Sequence, residues 1–236
     1  MLFDYKGKEL GLFGKAINWK SYWSCKVKKY LGNKVLEVGA GMGNNVQFLV
    51  NEDILEYTCI EPDFELSEII KKKIYNNELP SFCKSLNGTI QDLKEDQFFA
   101  SILYFDVLEH IENDHEEIQK AALHLKPDGF LIILVPAHQY LYSPFDKQIG
   151  HYRRYNKQRL KKIIPDKWEV VEIKYMDSMG FLLSMVNHTF LKQKYPTQKQ
   201  IIFWDKIVVP MSKIIDKVVF YKFGKSLLII MKKPTI

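Results

Sequence analysis

Three stretches of this 236-residue sequence hold residues whose types and spacing could do chemistry. In the first, residues 35–45, an acid (Glu37) is followed by Gly39, Gly41 and Gly43. Glycines at a strand-to-helix turn adopt backbone angles closed to other residues, and they lack the Cβ atoms that would hold a ligand off the main chain. Twenty positions beyond Gly41, Glu61 closes the apolar run 57–60, where an acid can accept both hydroxyls of a ribose. The spacing is G-x-G-x-G, with Asn44 where the third glycine of a dinucleotide turn would fall. The first stretch therefore points to a nucleoside-bearing ligand.

The second stretch, Asp106-Val107-Leu108-Glu109-His110-Ile111, follows an almost wholly apolar run, 98–105. Ligands of open α/β sheets lie beyond the carboxyl ends of the strands, so Asp106 is expected to face one. The third, 136–155, is dense in polar, aromatic and ionisable groups. His138 and His151 are candidate bases, since imidazole titrates near neutrality, and Asp146 could orient one of them or serve itself. The chain has thirty-one lysines and three arginines, and two of those arginines, Arg153 and Arg154, are adjacent. That choice suggests a need for the planar fork that grips carboxylate or phosphate. The competing reading is that His151 and Arg153 pin the loop to the strand ends.

Elements to position these groups are legible. Apolar runs predict strands at 34–38, 56–60, 81–86, 98–105, 130–135, 168–175 and 226–231. Helical periodicity covers 46–51, 65–76, 114–125 and 156–164, with the Lys-Pro-Asp-Gly at 126–129 as a helix stop. Trp19, Tyr22, Trp23 and Val27 suggest a helix inside an N-terminal segment, 1–31. Residues 178–225 are too many for a hairpin and read as helical insertion, with an apolar stripe from Ile207 to Tyr221 beside Lys206, Lys213 and Lys217.

The net charge of +6 is uneven, since ten lysines against two aspartates lie beyond residue 177. A basic face away from the glycine turn argues against a nucleic-acid cleft. Three widely spaced cysteines argue against a disulfide framework and for a reducing cytoplasm, and the absence of a Cys-x-x-Cys pair leaves no metal expected. The N-terminus lacks the apolar core of a signal peptide, and no run reaches the ~20 apolar residues that span a bilayer.

The pattern Glu-x-Gly-x-Gly-x-Gly, together with the Asp-Val-Leu-Glu-His-Ile run, resembles class I (Rossmann-like) S-adenosylmethionine-dependent methyltransferases. The resemblance implies one α/β domain over 1–236. Its seven-stranded, mostly parallel sheet would have the order 3-2-1-4-5-7-6, with helices on both faces and the 1–31 segment as a lid. It implies a cofactor site of Glu37, Gly39, Ala40, Gly41, Gly43, Asn44 and Asn45, with Glu61 and Pro62 at the ribose. Thr89 and Ile90 would flank adenine, and Asp106 and Val107 would meet the methionine end, S-adenosylhomocysteine being the product.

The run Pro-Ala-His … Ser-Pro-Phe-Asp … Gly-His-Tyr-Arg-Arg-Tyr further resembles a subgroup found near sugar transferases that act on glycans. It implies a small or glycan-like acceptor, phosphorylated or lipid-linked, met by His110, Tyr142, Arg153, Arg154 and Tyr155 and methylated at oxygen. Two other readings stay open: an RNA or protein methyltransferase of this fold, and a non-catalytic scaffold that meets a membrane through 201–223.

Overall fold

The computed structural model describes residue 11, residues 14–187 and residues 196–235. At its centre is β1, Lys34–Val38, whose last four residues are buried. It pairs in parallel with β2 (Glu56–Glu61) and β4 (Phe99–Phe105), so Glu37 lies in register between Cys59 and Leu103. Beyond β2 is β3, Cys83–Asn87, and beyond β4 is β5, Leu125–Pro136. The chain-terminal β7, Ser226–Lys232, runs antiparallel between β5 and β6 (Glu169–Met176). The resulting order, β3-β2-β1-β4-β5-β7-β6, is the expected one.

Alternation along β1 divides two apolar cores. Val35 faces the layer of Trp23, Val27, Val46 and Leu49, while Leu36 and Val38 face that of Ile102, Ile118 and Leu160. Helices accordingly cover both faces. On the first lie α1 (Ile17–Val27), α2 (Val46–Leu49) and α3 (Phe64–Tyr75), and on the second α4 (Asp114–His124) and α6 (Lys157–Lys162), with α5 (Pro144–Gln148) in the loop after β5.

One expected boundary moves. The 126–129 stretch does stop the helix, but β5 starts at Leu125 and runs through it. Its backbone is held by the chain end: Lys233 N–H donates to the Gly129 carbonyl at 2.9 Å, and Asp128 N–H to that of Lys233 at 3.2 Å.

Between β6 and β7 the chain forms α7 (Ser178–Val186), α8 (Gln198–Phe203), a π-helical turn (Trp204–Val208) and α9 (Val209–Val218). Pro210 has no N–H to offer the preceding turn, and the wider turn sits just before it. Three buried aspartates fasten this insertion. Asp177 caps α7 through the Gly180 amide and accepts from Ser212 Oγ and Trp204 Nε1, both at 2.7 Å. Asp216 takes the Tyr22 hydroxyl (2.8 Å) and the amides of Asp177 and Ser178. Asp205, turned inward by the π turn, accepts the amides of Asn18 (3.2 Å) and Trp19 (2.9 Å) at the start of α1. The described part of the insertion and α1 are thus one packed unit. No helix among the described residues is long and apolar enough to cross a membrane.

Candidate active site

The glycine turn follows β1 at the carboxyl edge of the sheet. Gly39, Gly41 and Gly43 have φ of 64°, 57° and 70°, the left-handed region in which a Cβ is strained. A Cβ on Gly39 would stand 2.6 Å from Val107 Cγ2, so the turn and the segment after β4 touch only because that position is bare. Asn44 is drawn to the side by Lys73, whose ammonium binds Asn44 Oδ1 (2.9 Å) and the Met42 carbonyl (2.8 Å).

Glu61 ends β2 beside this turn. One carboxylate oxygen accepts the Gly41 amide at 2.8 Å and the other the Asp63 amide at 3.1 Å. Each oxygen keeps a lone pair for a further donor, as two ribose hydroxyls require. Burial pushes its carboxyl up to about 7, against the pull of those amides. Glu37 is fully enclosed, accepting from Tyr57 Oη and Asn45 Nδ2, both at 2.7 Å. It organises the turn through Asn45.

Lys20, which the sequence reading missed, reaches from α1 to Asn45 Oδ1 at 2.8 Å, within electrostatic range of Glu37 and Asp106. Burial lowers its pKa and the two acids oppose that. Nothing in its spacing separates it from the other lysines; only the folded position of α1 does. Asp106 has φ 55° and is exposed at the surface, yet the atoms packed around it strip enough water to push its carboxyl up to about 6, against His151, Lys20 and Lys225. A lysine and an aspartate so placed are matched to a zwitterion such as the amino-acid end of the expected cofactor. The bare glycine turn, the half-satisfied Glu61 and this charge pair fit that cofactor.

At the adenine loop, Thr89 caps the short turn Ile90–Asp92 and lies at intermediate exposure. Ile90 is completely buried, which corrects the expectation that its apolar face meets adenine: that face packs in the core. Pro62 is exposed beside Glu61.

The 136–155 loop closes on the segment after β4. Asp146, buried in α5, is its hub: Arg154 grips it bidentately (2.8 and 2.9 Å), Ser143 binds through N–H and Oγ, and His151 Nδ1 lies 2.9 Å from Oδ1. These bonds overcome burial and hold the carboxyl well below the usual range. Arg153 donates to the carbonyls of Ile111 (2.8 Å) and Glu112 (2.7 Å) and pairs with Asp114 at 3.0 Å. Tyr155 is fully buried, its hydroxyl 2.8 Å from Asp114 Oδ2. Arg153, Arg154 and Tyr155 therefore tie one loop to another, correcting their assignment to an acceptor. Tyr142 donates to the His151 carbonyl.

The two base candidates separate. His138 stacks on Tyr175 (4.8 Å, 17°) and against Phe181, its Nε2 buried without a hydrogen-bond partner, and burial lowers its pKa. This corrects its candidacy as the base: it packs under the insertion. His151, held by Asp146, stands edge-on to His110 at 4.5 Å, with Nε2 3.8 Å from Glu109 Oε1. His110 is pushed down to about 3 by burial and by His151. Glu109 is buried with neither oxygen hydrogen-bonded, and burial and Asp106 push its carboxyl well up. One ligand atom each from Glu109, His110 and His151 falls within a 4.8 Å cluster, a span that suits a cation and that a search for cysteine pairs overlooks.

A family model described as a methyltransferase domain matches residues 20–181, and the chain belongs to that family. A ubiquinone biosynthesis O-methyltransferase of Rickettsia typhi is 28% identical over 102 residues, 42% of this chain and 39% of that one. The match thus spans about two fifths of that relative. Among solved structures, phosphoethanolamine N-methyltransferase 2 of Haemonchus contortus in complex with S-adenosyl-L-methionine superposes with a TM-score of 0.65 at 15% identity, covering 98% of this chain and 59% of that. The [4+2]-cyclase SpnF superposes at 0.64 and 13%, covering 98% and 95%. Coclaurine N-methyltransferase, bound to N-methylheliamine and S-adenosylhomocysteine, gives 0.61 at 13%, covering 92% and 72%. These likenesses establish the Rossmann-like fold. With the family match, they make the chain a methyltransferase-domain protein of Rossmann-like fold.

Proposed function

We propose that this enzyme methylates a hydroxyl oxygen of a lipid-linked or glycan-like acceptor, with His151 as the base. The observation that carries this reading is the 2.9 Å contact between His151 Nδ1 and Asp146, with Asp106 within electrostatic range. With its Nδ1 proton directed at the carboxylate, the imidazole keeps Nε2 as the proton acceptor, and Asp146 stabilises the imidazolium that forms. The bound cofactor supplies a methyl group on a sulfonium, already a good leaving group. Glu61 and the Lys20–Asp106 pair fix its two ends, and His151 takes the acceptor proton. The Rickettsia relative's O-methyltransferase name supports oxygen as the target. The sugar-transferase association implied by the Gly-His-Tyr-Arg-Arg-Tyr run supports a glycan-like acceptor. A phosphate on the acceptor loses its support with the arginines engaged elsewhere.

The test is transfer of labelled methyl to a panel of phenolic lipids and lipid-linked sugars, with and without chelator. His151→Ala is expected to lower kcat about a hundredfold and to leave S-adenosylhomocysteine affinity unchanged. Methylation at nitrogen, or full turnover by the variant, would overturn the reading. Loss of activity with chelator would make His151 a metal ligand.

Lys20→Met is expected to weaken S-adenosylhomocysteine about tenfold, the value of one charge-assisted hydrogen bond. Binding of methylthioadenosine, which has no amino-acid end, should not change in the same calorimetric titration.

A further inference from the structure

The helical stretch formed by α8, the π turn and α9 has two unlike faces. Its inner face (Ile201, Asp205, Val208, Val209, Ser212, Asp216) is buried against the domain. Its outer face carries Phe203, Ile207, Met211, Ile214 and Val218 at successive spacings of four, four, three and four, all exposed, with Ile214 and Val218 both at 69%. Phe220, 78% exposed, continues the row past the helix end. A helix presenting such a row to water has an apolar face without a partner among the described residues.

The charges decide what covers it. Both acids of the stretch, Asp205 and Asp216, are turned inward and accept backbone amides of α1 and the start of α7. Lys199, Lys206, Lys217 and Lys222 are exposed, so between residues 198 and 222 every exposed charge is positive. A second copy joined by a two-fold axis would set this lysine row against itself. An anionic lipid surface satisfies both features, accepting the apolar row among its acyl chains and the ammonium groups at its phosphates. We propose that this face docks the enzyme on anionic membranes. The inference goes beyond the acceptor reading and does not rest on it.

The protein, without cofactor or acceptor, is sedimented with phosphatidylcholine vesicles that contain or lack phosphatidylglycerol. It is expected to partition onto the anionic vesicles alone and to release as salt rises. Lys206→Gln and Lys217→Gln should each weaken partitioning about fivefold, and the double variant Ile214→Glu with Val218→Glu should abolish it at an unchanged Tm. No sedimentation with anionic vesicles, or equal sedimentation with neutral ones, would overturn the proposal. So would a dimer in analytical ultracentrifugation that Ile214→Glu splits while vesicles are ignored. Failure here leaves the methyl-transfer assay untouched, since partitioning is read without cofactor or acceptor.

Discussion

In calorimetric titration at pH 8, Glu61→Ala is expected to bind S-adenosylhomocysteine more than a hundredfold more weakly than the native protein. Two hydrogen bonds to an ionised carboxylate are worth about 3 kcal/mol together, and removing the side chain also frees the Gly41 and Asp63 amides that shape the turn. The affinity should depend on pH with a definite sign. The carboxyl titrates at about 7, and only its ionised form accepts from both ribose hydroxyls at once, so binding tightens as pH rises through that value. Stability runs the other way. An acid whose folded pKa is raised binds its proton more tightly when folded, so its contribution is present below the ordinary carboxylate range and is lost as pH rises to about 7. Glu61→Gln should therefore reduce the fall in Tm of the ligand-free protein between pH 5 and 8 while still impairing binding. A variant that bound normally would remove Glu61 from the cofactor site.

Asp146→Ala should cost 3–5 kcal/mol in urea unfolding, about the penalty for stranding a buried partner of an ion pair. Arg154 is itself buried, and its Nη1 already lacks a hydrogen bond, so the guanidinium would lose the one carboxylate that pairs with it directly. His151 would lose its orienting bond in the same stroke. His151→Ala, by contrast, leaves Arg154 and Asp146 joined and should change stability little. An Asp146→Ala variant as stable as the native protein would show that the loop is not organised around this carboxylate.

The sheet was legible because strand burial and β-α-β connection leave local marks in sequence. The glycine turn was legible because its positive φ angles restrict which residues fit, and Glu61 because it closes an apolar run twenty positions beyond Gly41. The destination of the arginines was not. A guanidinium fork prefers a planar anion whether that anion is an acceptor's phosphate or Asp146, and which one it meets depends on loops far apart in sequence. All three arginines pair with the chain's own carboxylates: Arg153 and Arg159 with Asp114, Arg154 with Asp146. Likewise, nothing in their sequence neighbourhoods separated His138 from His151. Three aromatic rings around one and a carboxylate beside the other came only with folding. Lys20 acquired its place from a helix whose start is held by a residue 186 positions away.

The way the insertion joins the sheet bears on what its removal would do. Its ends meet, since Met176 and Ser226 are partners in the antiparallel ladder of β6 and β7, where a tight turn would serve. Lengthening such a turn is cheap, about 0.6 kcal/mol for each doubling, so the sheet tolerates the long excursion at little entropic cost. Removal is harder, because Asp205 and Asp216 hold the first turns of α1. Excision would spare the strands and unmoor the helix that carries Lys20 to Asn45, so a segment outside the sheet supports the glycine turn from a distance.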